Sequence, residues 1–251
     1  MAVITSAGSG DWDAGATWVG GVAPGTGDDA IIANTHTVTL TADQVTGSCE
    51  IQSGGTLAGG GYTLTCDNET TQAFDTDGII SGVLDLEITT GTGTSIDLNG
   101  FSGNVRNLVL NTSYNVAFST NFTIDGNLTL SSSGIFYPST NTKTVNIVGN
   151  LIINDGQFGV STWTGDLTIG GKLENYGTML GDSTQTIVGP SDIYGDGIGT
   201  FPDSLQEILD VGKGWMKSMQ EWNFLWDTNV MQKYDWTDPD KDLHQPNRGD
   251  W

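Results

Sequence analysis

The most conspicuous shortage in this chain is of basic residues. Its 251 residues include 8 lysines and arginines against 30 aspartates and glutamates, which gives a net charge of −22. Arg106 is the only basic residue before Lys143. Because a surface of this sign repels phosphate groups, the composition argues against binding nucleic acid or an anionic membrane. It fits solubility in a salty medium or, alternatively, the capture of divalent cations.

Long apolar stretches are also missing. No segment approaches the roughly 20 consecutive apolar residues that a membrane-spanning helix needs. The first residues, from Met1 to Ser6, lack a basic region followed by an apolar core, so they do not resemble a secretory signal. The simplest expectation is therefore a protein made in the cytoplasm of its host without export.

Cysteine and histidine are scarce. Cys49 and Cys66 are the only cysteines, and His36 and His244 are the only histidines. Two cysteines on adjacent turns of a repeat would suit a disulfide, but two free buried thiols are the favoured expectation in a reducing compartment. The sequence contains neither a metal-binding cysteine pair nor a cysteine–histidine catalytic pattern.

What the sequence does contain is a repeat. Three segments share the order apolar, polar, apolar, any residue, Gly, polar, Leu. They are Phe122–Leu128, Val145–Leu151 and Leu167–Leu173, with Gly126, Gly149 and Gly171 spaced by 23 and 22 residues. Short alternating strands at a fixed period are typical of a coil of stacked turns, in which each turn buries its inward side chains against its neighbours.

The repeat predicts an all-β chain folded as a parallel β-helix, or β-solenoid. Alternation of apolar and polar residues extends from Thr35 to about Gly195. At ~22 residues and ~4.8 Å per turn, this length gives about seven turns and a rod of ~35 Å. The alternative is an antiparallel sandwich, which would show hairpin turns every 8–12 residues or so. The longer spacing favours the coil.

The predicted solenoid has few groups for catalysis. Polysaccharide-cleaving enzymes of this architecture combine carboxylates with Arg, Lys or His in a groove. Four such cationic or histidine side chains are available: Arg106, Lys143, Lys172 and His36. None lies in a recognisable motif. Asp85 and Glu87, which alternation directs outward from one strand, are the first pair to test. We nevertheless predict that the chain is not an enzyme.

Two acidic loops suggest calcium only weakly. Asp75–Gly78 and Asp192–Gly197 place carboxylates beside glycine, and oxygen-rich loops suit Ca²⁺. Neither matches the helix–loop–helix site or the glycine-rich nonapeptide, and ordinary turns explain both. No cofactor is therefore expected.

Aromatic side chains of the predicted solenoid have two interpretations. An exposed row would stack on sugar rings and favour glycan binding, whereas inward-facing rings would fill the core, which is the favoured interpretation for most of them. The residues concerned are Tyr62, Phe118, Phe136, Tyr137, Phe158 and Trp163.

Residues 1–33 are rich in tryptophan and glycine and are predicted to form a lid over the first turn, which has no neighbour on one side. The pattern consists of Trp12, Thr17-Trp18, Gly20-Gly21, Pro24 and Gly27-Asp28, followed by Ile31-Ile32. It resembles the opening of certain right-handed β-helix proteins, which include bacterial surface adhesins, polysaccharide-associated proteins and phage virion proteins. The resemblance implies a right-handed parallel β-helix with an N-terminal cap and a surface or particle-associated role. It carries no catalytic residues over.

The character of the sequence changes near Phe201. Apolar residues spaced by three and four predict an amphipathic α-helix over 201–226, and the polar residues 227–251 predict an extended arm. The chain therefore divides into a cap (1–33), a solenoid (34–200), a helix and an arm. The helix either covers the last turn or docks the chain on neighbouring subunits. The residues predicted to dock are Leu205, Ile208, Trp215, Met219, Trp222, Trp226, Trp236 and Trp251.

These features together predict a non-enzymatic structural or attachment protein of a phage-like virion, either a capsid decoration or cement protein or a fibre or spike component. The expected partners are copies of itself, as a trimer, other virion proteins such as the capsid shell, and a host-surface glycan. The first alternative is a glycan-binding surface adhesin module, which would be extracellular or on a cell surface. The second is a polysaccharide-degrading enzyme.

Overall fold

The structure is a computed structural model of the chain. It describes residues 2–67, 72–89, 94–96 and 105–180, together with short strands at 185–187, 193–194 and 198–199. The predicted helix 201–226 and arm 227–251 lie outside the described residues.

Short strands make up most of the described part of the chain, and they form four sheets. Sheet A contains β1 (Val3–Thr5), β3 (Asp29–Ile32), β6 (Ser48–Ile51), β9 (Gln72–Thr76), β12 (Thr94–Ile96), β14 (Val116–Phe118), β17 (Ile135–Pro138), β20 (Gln157–Phe158), β23 (Thr178–Met179) and β26 (Ile198–Gly199). Sheet B contains β2 (Gly10–Asp11), β4 (Thr37–Thr39), β7 (Thr56–Ala58) and β10 (Ile79–Ser81). Sheet B′ contains β15 (Phe122–Ile124), β18 (Val145–Ile147), β21 (Leu167–Ile169) and β24 (Gln185–Ile187). Sheet C contains β5 (Gln44–Thr46), β8 (Thr63–Cys66), β11 (Leu84–Ile88), β13 (Val105–Leu110), β16 (Leu128–Leu130), β19 (Leu151–Ile153), β22 (Leu173–Asn175) and β25 (Ile193–Tyr194).

The order of these strands along the chain defines a solenoid. In most turns the chain passes from sheet A to sheet B or B′, then to sheet C, and returns to sheet A beside its earlier strand. All pairs between these strands are parallel. The eight strands of sheet C, each one turn after the last, span seven turns. The predicted β-solenoid of about seven turns is therefore confirmed over the antiparallel sandwich.

The three repeated segments lie on successive turns, as the sequence predicts. Their first apolar positions stack as Phe122, Val145 and Leu167 on sheet B′, and their last positions stack as Leu128, Leu151 and Leu173 on sheet C. Each strand here has three residues, of which the first and third are buried and the middle one faces outward. Because side chains alternate along a strand, each of these strands adds to two apolar columns and presents one outward residue.

A stack of aromatic rings fills the core on the inner side of sheet A. The rings of Phe118 and Phe136 have centroids 4.8 Å apart, and those of Phe136 and Phe158 are 5.9 Å apart. Trp163 comes from the loop after β20, stands edge-on to Phe158 at 5.3 Å and is fully buried. Tilted and edge-on pairs of this kind add to the stability that burial already supplies.

Two buried tryptophans lie together at the N-terminal end of the solenoid. Trp12 and Trp18 have ring centroids 5.0 Å apart, with planes at 70°, and the indole Nε1 of Trp18 donates to the carbonyl oxygen of Trp12 at 2.6 Å. They flank a 3-10 turn at Gly15–Thr17, and the described residues contain no α-helix.

The segment that carries Trp18 also covers the outer edge of β1. The amide of Ala7 donates to the carbonyl of Thr17 at 2.7 Å, and the amide of Val19 donates to that of Thr5 at 2.9 Å. These bonds occupy backbone groups that an edge strand would otherwise expose. Strands β1, β2 and β3 lie within residues 1–33, so two of the sheets begin inside the segment that the sequence assigns to a cap.

Candidate functional site

The outward carboxylates of β11 are the pair that the sequence suggests for acid–base chemistry. Asp85 and Glu87 do face outward, because Leu84, Leu86 and Ile88 are buried between and around them. In register, Glu87 lies between Thr65 and Val109 of the neighbouring turns. The structure thus confirms the predicted direction of both side chains.

Arg106 of the next turn binds Asp85 through both carboxylate oxygens. Its Nε donates to Oδ1 at 3.0 Å and its Nη2 to Oδ2 at 2.5 Å, while Nη2 also reaches the carbonyl of Gly61 at 3.3 Å. Asn107 adds two further donors to Asp85 Oδ1, its backbone N at 3.1 Å and its Nδ2 at 3.0 Å. The hydrogen bonds that Arg106 donates to the Asp85 carboxylate raise the pKa of its guanidinium.

An irregularity in the strand pairing places Arg106 in this position. Leu84 pairs with Val105, but Asp85 pairs with Asn107, so Arg106 is an extra residue on its strand. A bulge of this kind re-aims a side chain. The sequence identified Arg106 as a cationic group available for catalysis. It did not link Arg106 to Asp85, because a one-residue bulge leaves no pattern in a single sequence.

The same corner of the solenoid carries a column of side-chain hydrogen bonds, which we call the polar ladder. Each member except the last accepts, through a side-chain oxygen, the backbone N–H of the next member one turn along. The members are Asp85, Asn107, Asn127, Asn150 and Lys172, with N···O distances of 3.1, 3.0, 2.8 and 2.7 Å in order. Asn127, Asn150 and Lys172 are the polar residues of the repeated segments, and the ladder explains the two asparagines, whose side chains accept.

The glycine of each repeated segment allows the turns to approach at this corner. A Cβ on Gly149 would lie 2.5 Å from the carbonyl oxygen of Gly126, which is closer than a Cβ atom approaches such an oxygen. The amide of Gly149 instead donates to that carbonyl at 2.9 Å. The glycine and the polar residue of the repeat therefore act together. The glycine lets adjacent turns come close, and the asparagine side chain forms a hydrogen bond between them.

The aromatic residues proposed as sugar platforms divide into two groups. Phe118, Phe136, Phe158 and Trp163 are buried, which confirms the core interpretation for them. Tyr62 is exposed and Tyr137 is half-buried on the outer face of sheet A. Two further tyrosines, Tyr114 and Tyr176, have exposed fractions of 46% and 50% at the corner between sheets C and A. The sequence analysis missed these two, because each stands alone in a turn without a repeated neighbour.

An acidic groove of about 260 Å³ lies on the outer face of sheet A. Its walls include the carboxylates of Asp29, Glu50 and Asp75. Glu50 and Asp75 are neighbours in register on adjacent turns, and the hydroxyl of Ser48 donates to Asp29 at 2.8 Å. Like charges in this arrangement repel phosphates and anionic sugars.

The described residues do not assemble a metal site. Asp75 lies on β9 and Asp77 in the exposed turn after it, and no three His, Cys, Asp or Glu side chains of the described ranges are grouped as ligands. Of the second acidic loop, only Ile193 and Tyr194 are described.

Cys49 and Cys66 are free thiols buried in the core, on sheets A and C respectively. Burial away from water raises the pKa of both thiols, because it disfavours the charged thiolate. The favoured prediction of two free thiols is confirmed. Protonated, inaccessible thiols are poor nucleophiles and poor metal ligands.

The eight predicted docking residues, from Leu205 to Trp251, all lie outside the described residues, and their role stays a prediction. Comparison with known proteins adds no family, because no protein-family model, curated protein or solved structure matches the chain. Among the described residues, no helix has the length and apolarity needed to cross a bilayer.

Proposed function

We propose that the chain is a non-enzymatic structural and attachment protein of a phage-like virion, either a capsid decoration or cement protein or part of a fibre or spike. The observation that carries this proposal is the environment of Asp85. The carboxylate best placed for catalysis accepts four hydrogen bonds from Arg106 and Asn107 and begins the polar ladder. A carboxylate held in this way joins adjoining turns, and four donors of its own chain already occupy its oxygens.

Contacts between successive turns favour a stiff rod that could hold two binding partners at a fixed distance. The polar ladder outside and the aromatic stack inside both join successive turns. Such continuous side-chain contacts resist bending and local unfolding in a repeat structure, whose turns otherwise contact only their neighbours. The net charge of −22 keeps such rods apart and soluble.

Finer features of the fold belong to the same proposal. Right-handed winding is favoured because crossovers between parallel strands are nearly always right-handed. An amphipathic helix over 201–226 and the arm 227–251 would dock the rod, as a trimer, on the capsid or tail. Five of the eight basic residues lie at or beyond residue 213, where they supply positive side chains for contacts with acidic partners, although the segment itself is still net negative.

Deleting residues 227–251 tests the docking role. Particles are purified from a host that produces either the full chain or the truncated one, and the chain is quantified in them by mass spectrometry. We expect the full chain in the particles and a large loss of the truncated one, with circular dichroism showing that the solenoid still folds. Tyr176→Ala, in the rod, serves as the matched control. Equal occupancy by full and truncated chains would contradict the proposal.

A second candidate function is glycan binding, and the exposed tyrosines favour it. Tyr114 and Tyr176 lie on one corner, and the residues between them there include small or polar ones such as Ser133 and Asp155. Aromatic faces beside hydrogen-bonding groups suit sugar rings, and the surrounding negative charge favours a neutral saccharide.

A glycan array followed by calorimetry tests this candidate. Binding that is lost in the double variant Tyr114→Ala/Tyr176→Ala, but kept in Tyr62→Ala on another corner, would support it. No saccharide binding by the unmodified chain, or an equal loss of binding in both variants, would exclude this corner as a glycan-binding site. Neither candidate function predicts release of reducing or unsaturated ends from a polysaccharide.

A further inference from the structure

Three Asp–Gly pairs occur in the described turns: 77–78, 125–126 and 155–156. In the turn between β19 and β20, the amide N of Gly156 lies 2.7 Å from Oδ1 of Asp155, to which it donates a hydrogen bond. Asp155 is exposed. Within the described ranges, no such bond joins Asp77 or Asp125 to the glycine that follows it. Oδ1 of Asp155 is therefore held 2.7 Å from the next backbone nitrogen, which keeps the carboxyl group from rotating away from that nitrogen.

We propose that Asp155–Gly156 is a site of spontaneous backbone modification, at which aspartate is converted to isoaspartate through a cyclic imide. The Gly156 nitrogen attacks Cγ of the protonated Asp155 carboxyl group and forms an N–Cγ bond. The Cγ–O bond breaks, and the hydroxyl leaves as water with the proton from the amide. A water molecule then opens the ring at Cγ, which restores aspartate, or at the backbone carbonyl, which yields isoaspartate. The reaction needs no oxidant, metal or cofactor.

Proximity is what distinguishes this pair from the other two. Ring closure requires the nitrogen and the side-chain carbonyl group to meet, and a preformed short contact removes much of the entropic cost of that step. Glycine presents no Cβ to hinder the approach, and exposure of Asp155 lets solvent water open the ring. The three pairs share the Asp–Gly dipeptide, so a difference between their folded-to-unfolded rate ratios reports the folded geometry.

Isoaspartate at this place would disturb the stack of turns. It lengthens the turn by one backbone atom, yet Gly156 sits closely against neighbouring turns. The amide of Gln157 donates to the carbonyl of Gly134 at 2.9 Å, and that of Thr178 donates to the carbonyl of Gly156 at 2.8 Å. A Cβ on Gly156 would already collide with the Gly134 carbonyl oxygen. We therefore expect β20 and β23 to loosen when the modification forms.

The test is to age the full chain at neutral pH and 37 °C in ¹⁸O-labelled water, and to measure isoaspartate at each pair by peptide mapping. A sample unfolded in urea is treated in parallel and supplies the intrinsic rate of each pair. We expect the folded-to-unfolded rate ratio at Asp155 to exceed the ratios at Asp77 and Asp125 by roughly tenfold or more. A ratio at Asp155 equal to or below the other two would overturn the proposal.

Two variants sharpen the test. Asp155→Glu requires a larger ring, so modification at this position should cease while Asp77 and Asp125 react as before. Asp155→Asn forms the same imide with loss of ammonia, and we expect it to react faster than the parent in the folded chain. Because neither change adds bulk at Gly156, both variants should keep the turn. A folded-to-unfolded rate ratio for Asp155→Asn that does not exceed the ratios at Asp77 and Asp125 would also contradict the proposed geometry.

Discussion

The two halves of the described solenoid hold their turns together by different means. In residues 2–89 the corner between sheets B and C contains glycine-rich turns such as 59–61, and a tryptophan pair lies at the open end. In residues 105–180 the same corner carries the amides of the polar ladder, and the core carries the aromatic stack. The first turn, which has a neighbour on one side only, is thus covered by the tryptophan pair. Later turns, with neighbours on both sides, are joined by regular columns of side chains.

Charge explains why the ladder uses asparagine in the second half. In the first half, Asp43 accepts from the amide of Thr63 at 2.8 Å, and Asp85 begins the ladder beside Arg106. Successive carboxylates one turn, or ~4.8 Å, apart would repel one another. An uninterrupted column therefore needs the neutral amide, which offers the same acceptor without the charge.

The largest expected effect is the loss of Trp163, in the second half. The variant Trp163→Ala removes a fully buried ring that contacts Phe158 and whose Nε1 donates to the carbonyl of Lys143 at 2.7 Å. We expect the free energy of unfolding, measured in urea, to fall by about 3–5 kcal/mol. Tyr176→Ala, at an exposed aromatic, should change it by less than about 0.5 kcal/mol. Similar losses of unfolding free energy in both variants would show that the aromatic stack does not stabilise the second half.

Trp18→Ala applies the same test to the first half. The ring is equally buried, but it lies at an end, where a turn unfolds locally without the rest of the solenoid. We expect a smaller global loss than for Trp163→Ala, together with faster hydrogen exchange confined to β1, β2 and β3. Val19→Ala, at an exposed neighbour, is the control. Exchange that accelerates uniformly along the chain would mean that the two halves unfold as one unit.

The contrast between the halves also explains what the sequence could reveal. The repeat was visible from Phe122 to Leu173 because glycine, the ladder residue and leucine recur there for one physical reason. In the first half the turns differ in length, and Asp43 rather than an asparagine accepts from the next turn, so no motif survives although sheets A and C continue. The outward direction of Asp85 followed from alternation. Its capture by Arg106 did not, since it depends on a bulge and on contacts between turns.

A change within the polar ladder should cost less than the loss of a core ring. Asn127→Ala leaves the partly buried backbone N–H of Asn150 without its acceptor, so we expect a loss of about 1–3 kcal/mol in the free energy of unfolding. Asn146→Ala is the matched control, because Asn146 faces outward from β18 on the same turn as Asn150. Asn127→Asp keeps the acceptor and should lie between the two. Equal losses of unfolding free energy in Asn127→Ala and Asn146→Ala would show that the polar ladder does not stabilise the second half.

The smallest effect is expected from the thiols of the first half, and only at alkaline pH. Burial raises the pKa of Cys49 and Cys66 in the folded chain, whereas in the unfolded chain both ionise near pH 9.0. Above that pH the unfolded state loses protons that the folded state keeps, so stability is unchanged below about pH 9 and falls as the pH rises further.

Urea unfolding at about pH 8 and pH 9.5, for the parent and for Cys49→Ala/Cys66→Ala, measures this linkage. The parent should lose about 0.5–1 kcal/mol per thiol more than the double variant over that interval. Other groups titrate alike in both proteins, so the difference isolates the thiols. An identical pH dependence in the two proteins would indicate that both thiols reach water in the folded chain. The core of the first half would then be less well packed than the structure shows.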